Sequence, residues 1–216
     1  MWFVGLRRGH SAHVDGGTFD VVESSPGSAD LVLAFANTHA DSGGRVERLA
    51  DVDGLRAWLR ENGLDEAATD ASPADVDGVR LLRDALVTVL LGHSDDPATD
   101  DATLAAAEGD VRRVALRHPL VTTVDRDGAR LAPAQQGLPG AVGLVLAAMT
   151  ELALTGVWPR MKACRNAGCH LAFVDRSRNT SGAYCGTTCS SQVAMRAYRR
   201  RRTNPHSRTE SGSARP

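Results

Sequence analysis

The sequence predicts two unequal parts: a mostly α-helical N-terminal domain with a small β element, then a small C-terminal module stapled by metal. Three observations carry this. Aromatic residues make up only 4% of the 216-residue chain while apolar residues make up 42%, so the core is built of Leu, Val and Ala, which suits helix packing. All four cysteines, Cys164, Cys169, Cys185 and Cys189, fall near the C-terminal end. The formal net charge of -1 conceals a split. Residues 1–155 carry 13 Arg against 24 Asp and Glu, a net charge of −11, and residues 156–216 carry 11 Arg and one Lys against two acids, a net charge of +10. An acidic body followed by a basic end points to an anionic partner for the end alone.

The helical domain is expected over residues 1–157. Trp2–Leu6 and Thr18–Glu23 read as short strands, and SPGS at Ser25–Ser28 as a turn. Asp30–Ala40 reads as a helix with Ser28 as its cap, followed by a break at Gly43-Gly44. Asp51–Asn62 carries the stripe Leu55, Trp58, Leu59 and stops at Gly63. Asp77–Leu91 shows the clearest helical period, with Val79, Leu82, Leu86, Val89 and Leu90. A further helix is expected from Asp96-Pro97 through Ala102–Glu108, because Pro fits the first helical position. From Val111 to Pro133 the β-branched run VALRHPLVTTV argues against helix, and Asp127-Gly128 between Val121–Val124 and Ala129–Leu131 predicts a hairpin. Gly140–Gly156 is apolar nearly all round, as a buried central helix should be. Its apolar stretch Ala141–Leu154 is short for a membrane span, and Trp2–Leu6 is too short for a signal-peptide core. No membrane partner and a cytoplasmic location are therefore expected. His10 and His13 read as a solvated pair, and His39, His93 and His118 carry no assigned role.

The cysteines form two close pairs, C-x(4)-C and C-x(3)-C, separated by fifteen residues. Zinc takes four soft or borderline ligands in a tetrahedron, and two close thiolate pairs on a short spacer supply them without a large core. Four buried but unrelated thiols would not cluster this way. A site filled by four thiolates has no open position, so the zinc is expected to be structural. In a reducing cytosol two structural disulfides are disfavoured. Cys164–Cys169 reads as a knuckle turn, with Gly168 easing the backbone near the metal. Leu171–Val174 and Ala183–Tyr184 read as two short strands joined by Asp175–Gly182. Gly186 and Thr187 open a helix carrying Cys189, with Val193, Ala197 and Met195 or Tyr198 packing back on the knuckle. Knuckle, hairpin and helix together make a treble-clef-like zinc finger over residues 158–203, ahead of a disordered tail, 204–216, whose last part Ser207–Pro216 is polar throughout.

CRNAGC, FVDRSRNTSGAYC and the arginine-rich YRRRR resemble the CGNR zinc finger family, in which such a finger follows an N-terminal ABATE domain. Phe173, Asp175, Ser177, Arg178, Asn179, Ser181, Cys185, Tyr198 and Arg199 fall on the family pattern, with Tyr184 at its aromatic position. Upstream, DLVLAFANT resembles the L-x-L-D-F-x-N-T signature of the ABATE domain, with Ala34 where the signature has an acid, and WLRENGL and VRLLRDALVTVLL fit its next helices. The resemblance implies a transcription regulator induced by stress. Two departures stand out. The eponymous C-G-N-R becomes Cys189-Ser190-Ser191-Gln192, and a frequent basic residue after Ser181 becomes Gly182.

The basic side chains supply the remaining chemistry. Arg176, Arg178 and Asn179 lie between the cysteine pairs, and Arg196, Arg199, Arg200, Arg201 and Arg202 lie along the last helix. Guanidinium groups bind phosphate bidentately and stay charged at physiological pH. DNA is the expected partner, in the nucleoid if so, with RNA or an acidic protein as alternatives. A second copy of the chain or a small-molecule effector is expected at the helical body. No nucleophile-and-base set, phosphate loop or open metal site is evident, so the protein is expected not to be an enzyme.

Overall fold

The computed structural model describes residues 27–126 and 128–203. The strands expected at Trp2–Leu6 and Thr18–Glu23, the His10 and His13 pair, Asp127 of the hairpin turn and the tail from 204 onward lie outside the described residues. Helix α1 spans Ser28–Ala36, α2 Val52–Glu61, α3 Asp65–Asp70, α4 Val76–Gly92 and α5 Asp101–Ala115. The antiparallel hairpin of β1 (Leu120–Asp125) and β2 (Gly128–Pro133) follows, with Val124 opposite Ala129. Helix α6 (Gly137–Leu154) leads through a 3₁₀ turn at Trp158–Arg160 to β3 (Met161–Ala163), β4 (Ala172–Val174) and α7 (Thr187–Thr203).

The apolar stripes do what their spacing predicts. Leu55, Trp58 and Leu59 of α2 are buried, as are Val79, Leu82, Leu86, Val89 and Leu90 of α4. Trp58 packs on Phe35 of α1 with ring centroids 5.4 Å apart, and its Nε1–H donates to the Ala34 carbonyl at 3.2 Å. Asp51 caps α2 by accepting from the Gly54 amide at 2.9 Å. Helix α6 has mean hydropathy 1.6 over 18 residues, long and apolar enough to cross a membrane, but 61% of that stretch is buried as the central helix of the body. The helix expected over Gly140–Gly156 runs over Gly137–Leu154, and the apolar stretch Ala141–Leu154 is its last part.

Other expectations are corrected. Ser28 does not cap α1; its hydroxyl donates to Glu151 Oε2 of α6 at 2.7 Å, and Gly27 stands at the cap. The helix also ends at Ala36 rather than residue 40. There the Thr38 hydroxyl bonds the Phe35 carbonyl at 2.8 Å and His39 Nδ1 bonds the Ala36 carbonyl at 2.7 Å, so side chains satisfy the last carbonyls and the chain turns away. Asp96 accepts from the Ala98 amide at 2.8 Å in a turn instead of starting a helix. Helix α5 begins after Asp100, which accepts from the Thr103 amide at 2.8 Å. It continues through Val111–Ala115 because Ala107 and Val114 are buried and Val111 packs against the same core, a tertiary contact that overrides β propensity. Helix α3, too short to leave a clear period, was not anticipated.

One polar feature lies inside the body. Arg83 is 2% exposed and forks onto Glu47, with both Nη–Oε distances 2.9 Å. It also reaches Asp84 Oδ1 at 2.6 Å and the Thr38 hydroxyl at 3.2 Å. The small void bounded by Phe35, Trp58, Leu138 and Val142 measures about 10 Å³, no more than one water needs, and belongs to the packing.

Candidate metal centre and nucleic-acid interface

The hydrophobic core does not stop at the end of α6. Met161, Ala163 and Ala172 share one cluster with Val32, Phe35 and Leu90 of the body, and Met161 and Ala163 are fully buried. β3 pairs with β4, placing Lys162 opposite Phe173 and Ala163 opposite Ala172. This corrects the expected pairing of Leu171–Val174 with Ala183–Tyr184. The 183–184 segment contributes only the Ala183 carbonyl, which accepts from the Arg165 amide at 3.0 Å. β3 precedes the first cysteine and is the better partner because α4 already holds its other side. His93 Nδ1 bonds the Met161 carbonyl at 2.8 Å, and the Ser94 hydroxyl donates to the Ala163 carbonyl at 2.7 Å.

The turn after α1 grips the knuckle from the opposite side. Asn37 Nδ2 donates to the Ala172 carbonyl at 3.0 Å, and Asn37 Oδ1 accepts from the Ala172 amide at 2.7 Å. Arg45 Nη2 donates to the Cys169 carbonyl at 2.5 Å and to His39 Nε2 at 3.0 Å. Because His39 Nε2 accepts from Arg45, Nδ1 carries the proton that goes to the Ala36 carbonyl. The Ser42 hydroxyl and amide both donate to the Gly168 carbonyl, at 2.6 and 2.9 Å. A Cβ on Gly168 would stand 2.1 Å from Ser42 Oγ. Glycine at 168 therefore serves this docking, and the left-handed residue beside the metal is His170, at φ 50°.

The ligand set is the expected one. Sγ atoms of Cys164, Cys169, Cys185 and Cys189 all lie within 4.8 Å of one another. Cys169 to Cys185 and Cys185 to Cys189 are each 3.7 Å between sulfurs. Four sulfurs at the zinc–thiolate bond length of about 2.3 Å sit roughly 3.8 Å apart in a tetrahedron, so the cluster fits a structural zinc ion with every position filled by protein. Cys164 is fully buried in the knuckle, and Cys189 rides on the first turn of α7. The thiols differ in acidity. A hydrogen bond from Asn166 Nδ2 at 3.4 Å lowers the Cys189 thiol, whereas burial, with the neighbouring sulfurs, pushes Cys185 up. Zinc takes all four as thiolates and so releases protons on binding.

Between the cysteine pairs, residues 175–182 are held from inside. Asp175, 3% exposed, accepts from the Ser177 amide at 2.9 Å and the Gly182 amide at 2.7 Å, and pairs with Lys162 Nζ at 3.0 Å. Burial alone would raise its carboxyl. The hydrogen bonds from Ser177, Lys162 and Gly182 outweigh that and hold it far below the usual carboxylate range. Lys162, the chain's one lysine, also donates to the carbonyls of Thr180 at 2.6 Å and Gly182 at 3.1 Å. Arg160 Nη1 reaches the Asp175 and Ser177 carbonyls at 3.0 and 2.8 Å. Asp175 thus binds backbone amides and Lys162. A Cβ on Gly182 would come 2.7 Å from Asp175 Oδ1, so this departure from the family pattern belongs to the carboxylate cradle.

The chain matches the family model of ABATE, described as "Putative stress-induced transcription regulator", over residues 29–156, more than half its length. The chain belongs to the ABATE family. A second match, to the CGNR zinc finger, covers residues 160–202 and contains all four zinc ligands. No curated protein matches the chain. Within this ABATE protein, the N-T pair of the family-like signature DLVLAFANT has a structural meaning: Asn37 binds the finger strand β4, and Thr38 binds the buried Arg83 of α4.

The candidate nucleic-acid-binding residues of the ABATE protein's finger face outward, whereas Lys162 is buried. Arg176, Arg178 and Asn179 are exposed on the cradled loop. Arg196, Arg199, Arg200, Arg201 and Arg202 are exposed on α7, none of whose residues is buried. Met195 (51%) and Tyr198 (49%) are exposed too, so the expected packing of either on the knuckle is corrected. Beyond the first turn of α7, Val193 and Ala197 alone are half-buried, and the Arg202 guanidinium lies 5.8 Å from the Tyr198 ring centre. Arg196 and Arg200 follow Cys189 at seven and eleven residues, along the side of α7 that begins at the metal. Sequence reasoning missed Lys162, Asn166 and Asn37, whose side-chain partners within the finger are 13 or more residues away. Arg83 did leave a signal, since it occupies an apolar-stripe position between Leu82 and Leu86.

Proposed function

We propose that this ABATE protein regulates transcription by binding duplex DNA, with α7 in a groove and the 175–182 loop against the phosphates. One observation carries the reading. A helix of about 25 Å, from 17 residues at 1.5 Å each, leaves the zinc centre with no buried residue and five exposed arginines. A helix that buries no residue against the described residues and is lined with guanidinium groups suits the major groove, which admits an α-helix. The loop adds Arg176 and Arg178 on a platform held by Asp175 and Lys162. Phosphate contacts of this kind position a protein, and Asn179 is the side chain suited to read a base edge. The acidic body stays clear of the phosphates. In this reading the protein is a cytoplasmic, non-enzymatic regulator whose zinc is structural.

The test is a binding titration of zinc-loaded protein on duplex DNA at two or more salt concentrations. If four to seven arginines each neutralise a phosphate, log K falls with log salt at a slope of about −4 to −6. Arg200→Ala is expected to reduce that slope by about 1. Absence of binding at low salt overturns the reading. Preference for RNA over duplex DNA in competition would move it to an RNA-binding module.

A further inference from the structure

The residues that replace the family's G-N-R raise a question that the geometry answers. Gln192 stands one helical turn after Cys189, so the two side chains share a face of α7. Its Oε1 accepts from Asn166 Nδ2 at 2.9 Å. The same Nδ2 donates to Cys189 Sγ at 3.4 Å. Asn166 sits inside the knuckle between Cys164 and Cys169, is 3% exposed, and accepts from the Cys169 amide through its own carbonyl at 2.7 Å. Its side-chain Oδ1 is buried and has no hydrogen-bond partner among the described residues. A buried amide oxygen left bare is uncommon and calls for a reason.

The reason lies in the two hydrogens on Nδ2. One points to the sulfur of Cys189 and the other to Gln192. Turning the amide over would set its oxygen against the thiolate sulfur and Gln192 Oε1 together, three acceptors with no proton among them. The thiolate, which can only accept, sets the orientation in which an N–H faces the zinc ligand, and Gln192, with its oxygen turned inward, takes the second hydrogen and holds the amide there. We propose that Gln192 is a positioning residue of the zinc centre: through Asn166 it fixes the donor that stabilises the Cys189 thiolate and ties the first turn of α7 to the first knuckle. Its polar end is turned to the metal's outer shell rather than to a nucleic acid. A shared hydrogen-bond partner of this type orients the side chains that hold the metal in metal sites generally. The inference depends on the zinc site and is independent of the DNA reading.

The experiment uses the full chain carrying Gln192→Leu, Gln192→Glu, Asn166→Ala and the double variant Asn166→Ala/Gln192→Leu. Zinc retention against a competing chelator is the first readout, and the thiolate-to-metal charge-transfer band of the cobalt-substituted protein is the second. Gln192 is an exposed helix position, and Leu is about as good a helix former as Gln, so folding is not at risk. Gln192→Leu and Asn166→Ala should each weaken zinc binding by about 10- to 100-fold and shift the cobalt band. The double variant should be no weaker than either single one. Gln192→Glu keeps the acceptor for Asn166 Nδ2 and should hold zinc and the band near wild type. Unchanged zinc retention and band in Gln192→Leu overturn the proposal, and so do additive losses in the double variant.

Discussion

Asn37 pairs with Ala172 as one strand pairs with another. Its amide nitrogen donates to the Ala172 carbonyl at 3.0 Å while its amide oxygen accepts from the Ala172 N–H at 2.7 Å. A single side chain at the end of α1 thus continues the β3–β4 ladder into the helical body. Ala172 is 3% exposed, so water does not replace the lost partner. Asn37→Ala should cost about 1–3 kcal/mol for each backbone group left unpaired. Denaturant unfolding of the zinc-loaded protein measures it. Asn37→Asp, which keeps the acceptor and loses the donor, should fall between wild type and Ala.

The two ends of the zinc site should respond differently to ligand loss. Cys164 is fully buried beside Ala163, in the strand that shares the body's core. Cys189 belongs to α7, which buries nothing. Cys189→Ser should release zinc and melt α7 while α1–α6 stay helical, because an isolated helix of this length is marginal in water. Cys164→Ser should release zinc and also lower the melting temperature of the body. Elemental analysis with circular dichroism separates the two, and equal melting temperatures would refute the difference.

Asp175 gives the finger loop an acid limit. Its folded-state carboxyl is depressed by its hydrogen bonds and by Lys162. Its contribution is therefore complete above the unfolded value of about 3.9 and is lost as the pH falls through the lower folded value. Removing one partner of a buried pair is costly, and Asp175→Ala should destabilise by about 3–5 kcal/mol at neutral pH. It should also flatten the stability curve below about pH 4. Unfolding curves over a pH series read both effects.

His93 acts in a higher window. Burial lowers its pKa, an effect that its bond to the Met161 carbonyl partly opposes. The unfolded chain then takes up the proton first. Stability contributed by neutral His93 is complete above about pH 6.5 and declines as the pH falls toward the lower folded value. His93→Gln should retain a donor to Met161 and reduce the slope of stability just below about pH 6.5. An unchanged slope would assign that dependence to another group.

Much of this was legible in the chain. The zinc ligands are near neighbours in sequence, and thiol spacing carries their chemistry directly. The stripes of α2 and α4 encode which face is buried, and Asp127-Gly128 marks the hairpin. What sequence did not expose is long-range pairing. Residues 37 and 172 are 135 apart, and β4 chose β3 because α4 carries His93 and Ser94 to the strand's other side. Lys162 looked like one more basic residue of the charged end, yet it is buried against Asp175. Helix α5 ran through a β-branched stretch because α4 offered its valines a surface.

The shared core has an evolutionary and a practical edge. Many zinc modules travel between proteins as cassettes, joined by linkers that tolerate exchange. Here a cut near residue 158 would strip Met161, Ala163 and Ala172 of the leucines and phenylalanine they pack on, and leave α1 and α4 with bare apolar patches. Each half would be sticky without the other. Grafting this finger elsewhere means carrying the turn at Asn37–Arg45 and the end of α4 along with it.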